Sequence, residues 1–506
     1  MEKSKVPQKI LIFLTLILLL SVMWVYGAAN ISHYTAHLEA DIAGETVLAE
    51  VLYENHHVQP GTWVASTATR IIGPPLLASF IYPLTGGNLN LSMGIACTVM
   101  MILMAVVTYY FCRTIGMSVL SGLVSVLLMF VLCAPADETQ RMLYLYANYY
   151  VGHFIPMFII LQIYAAALKR GGRLTAAEWM IGTILAVING FQGIHASMFF
   201  YLPLLGTEIL RRGVLFLRKE KEKRNAVSVW SVVICAIAFA LAKIFGAYMS
   251  SGASRNIRHA PEKFIGEVLP NFRAVLGYGR LEFLVLILVF IAIAGYCLAV
   301  RNFGERPELW SIIPIFAGIV VVLLSSTFTT AEVAPRYFVM QVFAVGIGVG
   351  VFIELFSAQK SYWLSLLAVV YGLFSLVAFY EGLVENDYSE DSGYMQVARW
   401  MQDNDYEYGY STFDHANTIT VMSNNAVKVR GINSFNEMEG IKWLSDSTWY
   451  PPAKSPEGYT CYITTSYTQG DFESWLIEND AQVIETAQVE NFKIYVLDHD
   501  YTVWVR

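Results

Sequence analysis

Runs of about 20 apolar residues recur along most of this chain, each long enough to cross the hydrocarbon layer of a bilayer as a helix. They lie near 10–28, 92–111, 117–134, 150–168, 176–190, 194–210, 226–246, 281–300, 309–326, 338–356 and 361–381. Of the 506 residues 56% are hydrophobic and only 14% charged. A soluble domain carries about 25% charged residues, so much of this surface faces something other than water. The first run follows Lys3, Lys5 and Lys9 as a signal peptide's would. It is long, however, no A-x-A-like site follows at a suitable distance, and more runs come after it, so it reads as a retained first helix. The fold class expected is a polytopic α-helical membrane protein of about 11 transmembrane helices.

Charge sets the expected orientation, because Lys and Arg collect in cytoplasmic loops. Alternation from a cytoplasmic N-terminus gives inner loops holding Arg113; Lys169, Arg170 and Arg173; Arg211 through Arg224; Arg301 and Arg306; and Lys360. The segment RRGVLFLRKEKEKR (211–224) is the richest in positive charge and the least suited to translocation. Merging the two short runs on either side of Asn189–His195 would flip every later loop, and this basic segment argues against that. Three outer loops are long, at about 29–91, 135–149 and 247–280, so function is sought on the outer face.

Eleven crossings divide the chain into a membrane domain, 1–384, and an extracytoplasmic domain, 385–506. The latter holds 20 acidic and 7 basic residues, a net of −13 against −7 for the whole chain, which leaves the membrane part at +6. Helix patterns at 394–402, 435–445 and 471–479 alternate with strand-like segments TITV (418–421), AVKVRGI (426–432), TCYITTSY (460–467), QVIETA (482–487) and FKIYVLD (492–498). Strands alternating with helices define a small α/β domain. No glycine-rich phosphate loop opens any of these helices. Gly346, Gly348 and Gly350 lie inside a membrane run, where small residues let helices approach closely. Of six cysteines only Cys461 lies beyond the membrane part, which leaves no disulfide pair there.

The chemistry-bearing residues begin just after the first span, in HYTAHLEADIAGETVLAEVLYENHH (33–57). Its mixture of Leu38, Ile42, Leu48, Val51 and Leu52 with Glu39, Asp41, Glu45, Glu50 and Glu54 predicts an amphipathic helix at the membrane surface. Asp41 and Glu45 share a face, one turn after His37. That face is either solvated or a carboxylate cluster set around a cation or an acceptor hydroxyl.

Glu39-Ala40-Asp41 directly after the first span, eleven or so spans, amphipathic outer loops, the late outer pair Arg336-Tyr337 and an outer C-terminal domain together resemble the GT-C superfamily of membrane glycosyltransferases. The resemblance covers the whole chain in architecture and is short in motif. It implies a sugar donor on a polyprenyl phosphate or diphosphate and transfer to an outward-facing glycan, lipid or protein acceptor by inverting displacement. Asp41 would be the base, and Glu39 or Glu45 would orient the acceptor or help hold a divalent metal (Mg or Mn), since the superfamily splits on metal use. A positioned base is worth about 10²–10⁴-fold. The lipid phosphate leaves as an anion and needs cationic stabilisation.

Cationic candidates lie in two outer loops. Arg336 and Tyr337 stand where the tenth span begins, suited either to a bidentate phosphate contact or to snorkelling at the membrane edge. Arg255, Arg258, His259 and Lys263 would either close over a lipid phosphate or touch anionic headgroups. Asp137 and Glu138 form either a second acidic element or an ordinary helix start. Asn189, Gln192 and His195 would either line the cavity beneath the first loop or form a helix-end hydrogen-bond network. The rival class is a transporter or flippase, against which stands the lack of an internal repeat. The expected setting is a bacterial cell membrane, with the lipid bilayer and the polyprenyl-phosphate sugar as partners and no nucleic acid.

Overall fold

In a computed structural model, helices stand at all eleven predicted positions. The structure describes residues 5–36, 38–66, 69–133, 138–145, 150–219, 225–246, 254–276, 282–356, 358–450 and 457–504, so His37 and Asp137 lie outside the described residues. The chain enters with α1 (Lys5–Ser32) and then folds α2 (Ala40–Glu54), the short strand β1 (Trp63–Val64) and α3 (Pro74–Ile81) before α4 (Leu89–Thr114). Next come α5 (Val119–Val131), the short α6 (Glu138–Tyr144), α7 (Val151–Lys169) and α8 (Ala176–Phe191). One turn, α9 (Ile194–Ala196), runs through a π-helical turn into α10 (Leu202–Leu217). After α11 (Ala226–Gly246), the short α12 (Ala260–Lys263) and α13 (Leu269–Ala274) precede α14 (Glu282–Arg301), α15 (Ile313–Phe328), α16 (Met340–Leu355) and α17 (Ala358–Tyr380).

Among the described residues eight helices are long and apolar enough to cross a membrane, and α5 and α8 are shorter apolar helices. The remaining traverse, α9–α10, carries Glu208, Arg211 and Arg212. Glu208 accepts from Arg211 at 2.7 Å and from the Tyr164 hydroxyl at 2.7 Å, so the buried charges neutralise one another. The turn between α8 and α9 meets the loop after α2, where the backbone N–H groups of Ile71 and Ile72 donate to Gln192 Oε1. At its far end α10 meets the start of α11, where Arg212 Nε donates to Ser228 Oγ at 2.7 Å. The two short runs are therefore a helical hairpin, not one merged helix.

The glycines of α16 work as the sequence implied. Gly346 and Gly350 lie against the α5 backbone at Ser125 and Ser121, while Gly348 lies against Ala292 of α14. A Cβ at Gly295 would collide with the Gly348 carbonyl, so α14 and α16 touch backbone to backbone there.

The C-terminal part comprises α18 (Gly393–Asp403), β2 (Tyr408–Thr412), α19 (Phe413–Met422), β3 (Lys428–Ile432), β4 (Ser445–Asp446), β5 (Glu457–Thr465), α20 (Gln469–Glu478), β6 (Val483–Val489) and β7 (Phe492–His499). Five strands form one sheet in the order β3-β2-β5-β7-β6, parallel from β3 to β5 and antiparallel from β5 to β6. Aliphatic residues such as Val397, Ile419, Val429, Ile463 and Val496 fill one core, and Tyr410, Tyr462, Phe472 and Tyr495 gather in another.

Three expectations need correction. TITV (418–421) is helical, within α19, despite its β-branched residues, and the strand lies just before it as β2. Tertiary contacts override propensity here: Thr420 Oγ1 donates to the Val429 carbonyl and accepts from the Val429 N–H, both at 2.9 Å, which satisfies β3 at the edge of its sheet. Residues 435–445 form no helix, because their backbone bonds to distant chain. Gly440 N–H donates to the Val503 carbonyl and Ile441 N–H to that of Gly431, both near 3 Å. Finally, α2 is no surface helix: Ile42 through Leu52 are all buried, packed between α3 and α4 on one side and α19 on the other. Its two buried acids are tolerated because both find partners later in the chain. Glu45 meets Arg70, and Glu50 accepts from Asn425 at 2.6 Å with Lys428 3.7 Å away.

Candidate active site

The N-terminus of α2 points its acids toward the membrane domain. Glu39 holds the N-cap position in an extended conformation without capping the helix through its side chain. Asp41 lies in the first turn, where the helix dipole favours an anion. One turn on, Glu45 is 1% exposed, and its Oε1 accepts from Arg70 Nε at 2.9 Å. Burial pushes the Glu45 carboxyl above its ordinary range in spite of the opposing pull of Arg70.

The second loop meets this cluster. α6 opens on Glu138, which pairs with Arg336 in the helical turn Pro335–Phe338 ahead of α16. Glu39 feels all of these groups. Burial raises its pKa, Arg141 opposes the shift, Glu138 and Asp41 reinforce it, and Arg336 opposes it again. Three acids from the first loop, one from the second and three arginines thus converge from segments nearly 300 residues apart.

Beneath them lie aromatic rings. The His195 and Tyr337 rings stack with centroids 6.4 Å apart, Tyr150 meets His195 edge-on at 6.2 Å, and His153 lies 6.5 Å from His195. The Arg336 guanidinium carbon stands 5.4 Å from the Tyr337 ring centroid. Arg70 and Arg336 both reach His195 and Tyr150 electrostatically. Gln192 fixes the chain beside Arg70: its Oε1 accepts from the N–H of Ile71 at 3.2 Å and of Ile72 at 2.6 Å. Gln192 is therefore both a helix-end anchor and part of the wall below the first loop.

From above, the C-terminal domain closes over α2. β1 pairs antiparallel with β4, Trp63 opposite Asp446. The indole N–H of Trp443 donates to Asp41 Oδ1 at 3.4 Å. The carboxylates after the opening helix and the C-terminal domain therefore share one side of the molecule.

Of the residues singled out from sequence, Glu39, Asp41, Glu45, Arg336, Tyr337 and His195 come together. Arg255, Arg258, His259 and Lys263 do not join them: among the described residues no hydrogen bond or ion pair ties these four to the cluster. Arg255, Arg258 and His259 are exposed, and His259 pairs with exposed Glu262 at 2.9 Å. Lys263 is buried because its ammonium donates to the carbonyls of Thr329, at 2.8 Å, and Ala331. Sequence reasoning missed Arg70 and Arg141. Arg70 stands in a stretch with no periodicity, and the only available signal was a cation in a loop whose acids needed one. Among the described residues no three His, Cys, Asp or Glu side chains gather into a potential metal cluster. Among the described residues the cations beside these acids are the guanidinium groups of Arg70, Arg141 and Arg336.

No protein-family model matches this chain, and no curated protein does. Among solved structures, the crystal structure of ArnT from Cupriavidus metallidurans in the apo state superposes with a TM-score of 0.54. The match covers 95% of this chain and 97% of that one at 14% sequence identity. The chain is a multi-pass membrane protein that shares the fold of this ArnT structure.

Proposed function

We propose that this protein is a glycosyltransferase that moves a sugar from a polyprenyl-phosphate lipid to an acceptor hydroxyl on the outer face of the membrane. The observation that carries the reading is the convergence of the first-loop carboxylates with Arg70, Arg141 and Arg336 over a floor of Tyr150, His195 and Tyr337. Carboxylates beside arginines, partly screened from water, suit a reaction that takes a proton at one end and releases a phosphate at the other.

In this mechanism Asp41 removes the proton of the acceptor hydroxyl as its oxygen attacks the sugar's anomeric carbon. The bond from that carbon to the lipid-phosphate oxygen breaks, its electrons stay with the phosphate, and configuration inverts. Arg336 and Arg70 hold the phosphate as its charge grows, and the hydroxyls of Tyr337 and Tyr150 donate to it. Glu138 orients Arg336, while Glu39 orients the acceptor. The acceptor class is a glycan, lipid or protein hydroxyl. The positive loops at the opposite ends of the spans support a cytoplasmic N-terminus and an outward C-terminal domain.

The test uses membranes holding wild type or Asp41→Asn and a panel of radiolabelled polyprenyl-phosphate sugars. Loss of transfer by about 10²–10⁴-fold is expected. Full retention would refute Asp41 as the base. No transfer from any donor, together with substrate uptake into vesicles, would replace the transferase by a transporter. A reporter fused at Arg506 that gave a cytoplasmic signal would overturn the orientation.

A further inference from the structure

The C-terminal domain is fastened at four separate places to the helix that carries Asp41 and to the chain that follows it up to α4. α19 packs along α2; β4 pairs with β1; Asn425 donates to Glu50 at 2.6 Å; and Asn90, at the start of α4, donates to the Val421 carbonyl at 2.9 Å. The segment that descends onto Asp41 is itself held. Gly440 and Ile441 are bonded to Val503 and Gly431, and Ser445 and Asp446 lie in β4. Within it Leu444 is 1% exposed and presses on Gly44, where an added Cβ would stand 2.8 Å from the Leu444 Cβ. Trp443 comes next to it, and its indole N–H donates to Asp41 Oδ1. Two packed surfaces therefore fix this one polar contact across the domain boundary.

We propose that Trp443 is a positioning residue for sugar transfer, so that the C-terminal domain completes the active site instead of merely covering it. The inference rests on Asp41 acting as the base. A carboxylate rotates about its last side-chain bond with little preference. A donor bound to Oδ1 restricts that rotation and so sets how the carboxylate meets the acceptor's proton. Indole is a donor only, so it suits an ionised carboxylate and cannot compete with the acceptor for Asp41 by offering a lone pair. Its ring packs in the apolar cluster that includes Leu48, Val51, Trp63, Phe413 and Trp449, which holds the indole in place. In a base, small misplacement is expensive because the reacting atoms must meet within hydrogen-bond reach.

Trp443→Phe keeps an aromatic ring and deletes the N–H. It should lower kcat about tenfold, the cost of one charge-assisted hydrogen bond, while KM for the lipid donor and the melting temperature stay at wild-type values. Trp449→Phe, the same change in the same apolar cluster without a contact to Asp41, should keep kcat. Asp41→Asn with Trp443→Phe should transfer no more slowly than Asp41→Asn alone, because Trp443 acts through Asp41. Should Trp443→Phe fail to fold, 3-benzothienylalanine at position 443 keeps the bicyclic shape without the N–H, and the same tenfold loss is expected. Wild-type kcat in the N–H-free variant, or a further multiplicative loss in the double variant, would overturn the proposal. An active Asp41→Asn enzyme would instead sink the base assignment, whereas an inactive one beside a fully active Trp443→Phe enzyme would sink only the positioning role.

Discussion

Arg70 Nε lies 2.9 Å from Glu45 Oε1, and the two side chains are only 10% and 2% exposed. The carboxylate comes from α2 and the guanidinium from an irregular stretch 25 residues later. The pair thus closes the first long loop into a fixed object and places a cation beside the aromatic floor.

Breaking that pair should be costly, because a buried charge that loses its partner is stranded in a poor solvent. Arg70→Ala is expected to destabilise the protein by about 3–5 kcal/mol. Arg70→Ala combined with Glu45→Gln should recover part of that loss, since neither charge then remains. Thermal unfolding in detergent measures both. An Arg70→Ala protein that melts with the wild type would mean that water reaches Glu45.

Arg336 is engaged by Glu138 from one side and faces Tyr337 on the other. If it holds the donor phosphate, the forked guanidinium matters beyond its charge, because a lysine offers one compact ammonium in place of a bidentate fork. Arg336→Lys should raise KM for the lipid donor about tenfold, the worth of one such contact, with a smaller effect on acceptor KM. Equal changes in both KM values would point to a collapsed site. Glu138→Gln should reproduce a weaker form of the donor effect, since Arg336 loses its orienting partner.

Glu39 supplies a pH dependence. Burial first, then Glu138 and Asp41, raise its pKa above the ordinary value, against the pull of Arg141 and Arg336. A raised carboxyl is more comfortable protonated in the folded protein. Its contribution is therefore fully present below the ordinary glutamate value, about 4.3, and is lost as pH rises through the raised folded value. Glu39→Gln removes that loss. Melting temperatures of variant and wild type should nearly coincide at the acidic end, and the variant should gain as pH climbs toward neutrality. A constant difference across the range would show that Glu39 titrates alike in the folded and unfolded chains.

What was legible in the sequence was whatever local pattern decides. The eleven apolar runs, the close-packing glycines of α16, and strands such as β3 and β5 are each fixed by their own residues. The site was half legible: Glu39, Asp41 and Arg336 stood out because charge at a membrane edge needs a reason. What stayed hidden depends on partners remote in sequence. α2 looked like a surface helix because its acids had no visible partners, yet Arg70 and Lys428 supply the opposite charges and Asn425 a hydrogen-bond donor. Thr420 looked like a strand residue, and it closes a strand edge from a helix instead. The basic loop around Arg255 was open to two readings, a phosphate lid or a contact with anionic headgroups, and its buried Lys263 is instead taken up by the carbonyls of Thr329 and Ala331.

Gln192 tests how Arg70 is kept in place. It is 2% exposed, and its side-chain oxygen is the acceptor for two consecutive backbone N–H groups, those of Ile71 and Ile72. Gln192→Leu keeps the bulk and removes the acceptor, which leaves both donors unsatisfied at about 1–3 kcal/mol each. The cheaper response for the chain is to peel residues 69–72 away from the hairpin turn toward water, and Arg70 would go with them. Two readouts should then move together. Hydrogen exchange at Ile71 and Ile72 should accelerate by orders of magnitude while the helices around them stay protected. Transfer activity should fall too, because Arg70 would leave the donor phosphate. Unchanged exchange at those two amides would mean that the loop is held by its flanking apolar contacts and that Gln192 is dispensable for placing Arg70.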